Sequence, residues 1–266
     1  MSKVKPPDLL SPLTKRQIQK NRDHIQDAAW LAPYAIMSNN AYCRRYPIPL
    51  PAGWREVEEL RYPYPRAKEL AMQDRHQGLV GLALAVFAKE HQGRLEEVVV
   101  AFRGTDSLND SFQNFAPFYR NQVKPAREKF QGILDRYAGK AAKITATGHS
   151  LGGGLAFHMS FAFPDIEAIA FNASPVIKAG LRVHYDNKKT SVWESGEILQ
   201  VFRNMVTLLR PRWWNVDRVE YRFEHADFLN QHFMEDFALN IAKLGALQST
   251  DLQALMKTWH DHRYTV

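Results

Sequence analysis

The order of apolar segments predicts an α/β domain with a mostly parallel central sheet and helices on both faces. Three observations carry this. Short runs rich in Val, Ile, Leu and Phe alternate with segments of helical apolar spacing. The runs are apolar on both faces, as strands covered by helices must be. A Gly-x-Ser-x-Gly stretch, Gly148-His149-Ser150-Leu151-Gly152, falls between one such strand and one such helix.

Taken in order, residues 1–12 carry prolines and lysines and read as a loose arm. From Thr14 to about Tyr42, Ile18, Ile25, Ala28, Ala29, Ala32 and Ile36 recur near helical spacing, and Pro33 predicts a break or kink. Residues 46–66 are proline-rich and predict irregular surface chain. Leu79–Ala88 and Glu97–Arg103 predict two strands joined by a turn at Gln92-Gly93. Ala126–Tyr137 places Phe130, Ile133, Leu134 and Tyr137 on one helical face. Then come a strand over Ala142–Thr147, a helix over Leu151–Phe163 and a buried strand over Ile166–Phe171. They are followed by a strand over Thr190–Trp193 and a helix over about Glu197–Leu209. A last strand over Val219–Phe223 and a last amphipathic helix over Met234–Leu244 complete the series. No second domain and no internal repeat is visible. The divisions expected are an N-terminal arm and helix over 1–45 and a catalytic core over 78–245.

Composition removes several classes. The 266 residues are 45% hydrophobic and 24% charged, so the chain can fill a core and is not disordered over most of its length. Cys43 is the lone cysteine, which excludes an intrachain disulfide and a cysteine zinc site. The longest nearly apolar run, Gly78–Ala88, has 11 residues and is too short to span a bilayer. The N-terminal residues lack an apolar stretch of the secretory kind, so the expected location is the cytoplasm, or outside it by a signal-independent export route. The net charge of +7 is compatible with an anionic surface. The basic residues are scattered and match no nucleic-acid-binding module, so no nucleic-acid partner is expected. Neither a cofactor nor a metal is expected.

The Gly148–Gly152 stretch points to a nucleophile. A serine between a strand and a helix sits on a sharp turn, and glycines two before and two after it leave room for close helix–strand packing. The helix N-terminus behind it favours developing negative charge. A phosphate-binding loop is excluded by the absence of G-x-x-x-x-G-K-[ST]. The competing reading is a glycine-rich helix start that only packs tightly.

Val98-Val99-Val100-Ala101-Phe102-Arg103-Gly104-Thr105-Asp106-Ser107 and Ile144-Thr145-Ala146-Thr147-Gly148-His149-Ser150-Leu151-Gly152-Gly153 resemble the two signature blocks of lipase class 3, bacterial members included. Weaker similarity runs from Asn39-Asn40-Ala41-Tyr42 to the C-terminal helix. The resemblance implies an α/β-hydrolase fold and a serine esterase acting on lipid acyl esters. It implies that Thr105 and the backbone N–H of Leu151 form the oxyanion hole. It implies that 107–123, with Phe112, Phe115, Phe118 and Tyr119, forms a lid over the acyl site; an ordinary surface helix is the alternative. His149 is expected to pack and hydrogen-bond rather than act as a base.

A triad needs a histidine base and an orienting carboxylate, in the chain order Ser, acid, His for this fold. His24, His76 and His91 precede Ser150, and His158 lies on the helix behind it. His184 leaves no room for an acid strand before it, and His260 and His262 lie in the C-terminal tail. His225 and His232 remain, in the loop where the family places its base. His232 directly precedes the last helix and is preferred. The family usually has Asp before Ile-Val after the next strand; this chain has Glu194-Ser195-Gly196-Glu197-Ile198-Leu199. Glu197 matches that position best, with Glu194, Asp186 and Asp217 as alternatives. Arg203, Arg210, Arg212, Trp213 and Trp214 suit an anionic bilayer surface, which favours phospholipid; a core-and-rim role for them is the alternative. Two other functions stay open: a catalytically silent binding protein, and a thioesterase or acyltransferase on the same triad.

Overall fold

The structure is a computed structural model. It describes residues 11–42, 47–62, 82–104, 108–174, 184, 186–195, 216–223 and 234–264, without the side chains of 108–121 and 260–264.

The chain enters through a short helix α1 (Lys15–Lys20), capped by Thr14 and Gln17 in a reciprocal box, and a 3₁₀ turn at Arg22–His24. Helix α2 (Ile25–Asn40) follows. The break in this helical region lies at Asn21, and α2 runs through Pro33. Proline removes one helical hydrogen bond, but tertiary packing buries most of α2, with every residue from Tyr34 to Asn40 buried, and this outweighs that loss.

Among the described residues, seven strands form one sheet in chain order: β1 (Trp54–Glu56), β2 (Leu84–His91), β3 (Arg94–Phe102), β4 (Lys143–His149), β5 (Glu167–Phe171), β6 (Lys189–Glu194) and β7 (Val216–Tyr221). β1, β2 and β3 pair antiparallel, and β3 through β7 pair parallel. The β2–β3 turn is the expected one: Gln92 and Gly93 both take positive φ, 51° and 75°, as a tight two-residue hairpin requires. Edge strand β1 falls within the stretch expected to be irregular. Tryptophan and charged residues on a half-exposed edge carry no apolar periodicity to reveal it.

Helix α3 (Leu108–Tyr137) connects β3 to β4, and helix α4 (Leu151–Ala162) connects β4 to β5. Helices α5 (Met234–Gly245) and α6 (Thr250–Tyr264) close the chain. Helix α6 occupies the segment that the sequence leaves as a C-terminal tail. It buries Leu252, Leu255 and Trp259, a sparse stripe in an otherwise polar sequence. The expected helix over 197–209 and the first three residues of the strand expected over Leu79–Ala88 lie outside the described residues.

Alternation along β2 and β3 divides the core. Leu84, Val86, Ala88, Val98, Val100 and Phe102 pack against α3 and α4. Ala85, Phe87, Val99 and Ala101 pack with α2, α5 and α6 on the other face. Period-2 burial on both faces is what a covered sheet needs. The expected N-terminal helical region thus supplies part of one layer of the core, beside α5 and α6. This is the expected α/β fold.

Candidate active site

The Gly148–Gly152 block sits at the carboxyl edge of the parallel strands, where open α/β sheets hold their ligands. β4 ends at His149, and Ser150 adopts φ 55° and ψ −122° before α4 begins at Leu151. Such a backbone is costly for a non-glycine residue and persists only when its surroundings fix it. Here they do. The Ser150 N–H donates to the Phe171 carbonyl at 3.0 Å, and the Ser150 carbonyl accepts from the N–H groups of Ser174 at 3.0 Å and Gly154 at 3.1 Å.

The flanking glycines act as expected. A Cβ on Gly152 would run into the carbonyl oxygen of Phe102 and come within 2.8 Å of the Arg103 carbonyl carbon. Glycine therefore lets the first turn of α4 rest on the end of β3. Leu151, the first residue of α4, is buried and offers its N–H at the helix N-terminus, where anions are favoured.

The loop that follows β3 approaches the same point. A Cβ on Gly104 would lie 2.6 Å from the His149 carbonyl oxygen and 3.2 Å from the Ser150 Cβ. Gly104 thus abuts the Ser150 turn. Thr105, next in the chain, lies outside the described residues, as do the side chains of most of the expected lid. The backbone of that segment from Leu108 belongs to α3.

The histidines separate by environment. The His149 ring exchanges a hydrogen bond between Nδ1 and the Tyr42 hydroxyl at 2.8 Å, in line with a packing and bonding role. His158 is buried on α4. Desolvation, then the nearby Arg127 charge, pushes its pKa down to about 4, so it is a neutral structural residue. His225 and His232 lie outside the described residues. Their flanks do not. Phe237, in the first turns of α5, meets Phe171 at the end of β5 and Tyr221 at the end of β7 edge-on, both with ring centroids 6.2 Å apart. The N-terminus of α5 is therefore rooted at the carboxyl edge, two residues after His232.

Among the acid candidates, Asp217 pairs with Thr190 near the start of β7, and Asp186 precedes β6. Both lie toward the amino edge of the sheet, away from Ser150. Glu194 ends β6 and is fully buried; its N–H donates to Asn172 Oδ1 at 3.1 Å. Glu197 lies outside the described residues. Burial of Glu194 was not legible in the sequence, where Trp-Glu-Ser-Gly-Glu reads as a polar turn. Among the described residues, no group of His, Cys, Asp and Glu is placed to hold a metal ion, and no helix is long and apolar enough to cross a membrane.

A phospholipase-like family model, the Tle-like phospholipase domain, matches residues 33–201, from within α2 to beyond β6. The chain belongs to this family. The Tle-like phospholipase domain here carries both signature blocks and the strained serine turn, and the chain is a serine hydrolase of lipid carboxylic esters. A search of curated proteins gives no match. Among solved structures, lipase II from Rhizopus niveus is 15% identical with a TM-score of 0.46, covering 70% of this chain and 77% of its own. M37 lipase is 15% identical with a TM-score of 0.43, covering 79% and 86%. A mutant form of MDLA from Penicillium cyclopium is 12% identical with a TM-score of 0.46, covering 78% and 81%.

Proposed function

We propose that this chain is a phospholipase of the acyl-ester type that works through a Ser150–His232–Glu197 triad at an anionic lipid surface. The observation that carries the reading is the serine turn: a strained, fully braced Ser150 at the carboxyl edge of β4, with a helix N-terminus behind it and Gly104 against it. Ser150 Oγ attacks the ester carbonyl while His232 takes its proton. The backbone N–H groups of Thr105 and Leu151 hold the resulting oxyanion, an arrangement worth several kcal/mol of barrier. His232 then protonates the leaving alkoxide. Water, deprotonated by the same histidine, releases the acyl group and restores Ser150. Glu197 orients the imidazole and stabilises its charge. A second reading gives that role to Glu194, because a fully buried carboxylate at the end of β6 suits an imidazolium partner.

The preference for phospholipid rests on net charge and on the Arg203, Arg210, Arg212, Trp213 and Trp214 set. Segment 107–123 is proposed as the cover of the acyl site. The test is hydrolysis of p-nitrophenyl esters and of mixed neutral and anionic phospholipid vesicles by wild type and Ser150→Ala. Loss of all turnover in the variant, with faster release from anionic vesicles by wild type, supports the proposal. Unchanged turnover in Ser150→Ala removes Ser150 as nucleophile, and a wild type inert to every ester favours a binding role.

A further inference from the structure

The nucleophile strand is tied to α2 by a polar ladder rather than by apolar packing alone. Tyr34, Ser38 and Tyr42 recur every four residues, from α2 into the turn after it. Thr145, Thr147 and His149 recur every two residues on the α2 face of β4. Four helical residues advance about 6 Å and two strand residues about 6.6 Å, so the two series stay in step.

Each rung is bonded. Tyr34 donates to both carboxylate oxygens of Glu97, at 3.0 and 2.9 Å, and Thr145 donates to the same carboxylate at 2.5 Å. Thr147 spends its proton on the Ile169 carbonyl at 2.7 Å, so Ser38 donates to Thr147 Oγ1 at 3.0 Å. Tyr42 joins His149 Nδ1 at 2.8 Å.

The third rung differs from the others in what it touches. His149 immediately precedes Ser150. The Tyr42 hydroxyl also lies against Gly104, so closely that a Cβ there would overlap it. One phenol oxygen therefore contacts both the nucleophile turn and the loop that leads to Thr105. Oxyanion stabilisation depends on the mutual placement of these two segments to within a fraction of an ångström.

We propose that Tyr42 is a positioning residue for the hydrolytic step, its hydroxyl locking the His149 ring and spacing the Gly104 loop from the Ser150 turn. The proposal rests on the reading of Ser150 as nucleophile. Its test compares two single-hydroxyl deletions on the same ladder, Tyr42→Phe at the third rung and Ser38→Ala at the second. The readouts are kcat and KM on a p-nitrophenyl ester, melting temperature, and the rate at which a fluorophosphonate probe modifies the serine located by peptide mass. Tyr42→Phe is expected to lower kcat and the labelling rate by about 10- to 100-fold with KM nearly unchanged. Ser38→Ala is expected to lower the melting temperature comparably yet keep kcat and labelling close to wild type. Equal losses in the two variants, or a Tyr42→Phe enzyme with wild-type kcat and labelling, overturn the proposal. Probe found away from Ser150 in the wild type overturns the underlying reading instead. Tyr42→Phe combined with His149→Gln should fall no further than the worse single variant; additive losses also count against the proposal.

Discussion

Gly104→Ala gives the sharpest perturbation of the reacting geometry without touching a reacting atom. The new methyl would overlap the Tyr42 hydroxyl and stand 2.6 Å from the His149 carbonyl oxygen. An ordinary contact needs about 3.4 Å or more, so the segments must part by about 0.8 Å. The Tyr42 side chain can swing, but the His149 carbonyl cannot. It belongs to a strand end whose next residue is held by three backbone hydrogen bonds. The Gly104 loop must therefore retreat, and Thr105 follows it. Displacing one oxyanion donor by this distance should cost on the order of 10² in kcat, equivalent to about 2.7 kcal/mol of transition-state stabilisation. Overpacking should add a stability loss of about 1–3 kcal/mol. Steady-state kinetics at a temperature well below melting separate the two effects. KM should change little, because the donor acts mainly on the developing oxyanion. A stable Gly104→Ala enzyme with near wild-type kcat would refute the placement of this loop in the oxyanion hole.

The remaining predictions concern the acid and the fold's response to pH. Glu197→Gln is expected to lower kcat by about 10⁴ with the protein still folded; a near wild-type rate there, with the same fall in Glu194→Gln, transfers the role to Glu194. His158 is held neutral by burial, with a folded pKa of about 4 against about 6.5 when unfolded. The unfolded chain therefore binds the extra proton between these values. This contribution to stability is full above pH 6.5 and declines toward pH 4, by about 3 kcal/mol at the lower end. Urea unfolding of wild type and His158→Gln at several pH values measures it. The variant's stability should fall less on acidification, and parallel curves would show that His158 carries no such linkage.

The depth to which the site could be read varied with the kind of signal each residue carries. Ser150 was legible because its chemistry is local: two glycines, a strand before and a helix after, all within a dozen residues. The hairpin turn at Gln92-Gly93 was legible for the same reason. Pro33 does not end α2, because proline's local penalty is outweighed by the packing of α2 against α5 and the sheet. Helix α6 was missed because three buried residues among polar ones make a weak stripe. For the acid, a polar turn containing two glutamates gives no means of knowing which one ends inside the protein.

What the amino-acid order determined by itself was the α/β class, the serine turn at Gly148–Gly152 and the lipase-like family. Each depends on short-range periodicity or on residues adjacent in the chain. Only the tertiary structure decided that β3 through β7 pair in chain order, that Glu194 is fully buried, and that Tyr42 reaches both His149 and Gly104. Those facts join residues up to 107 positions apart. A hydrogen bond over such a separation exists only once the sheet has set the strand register and a helix has been laid along it. No local spacing in the chain encodes that register.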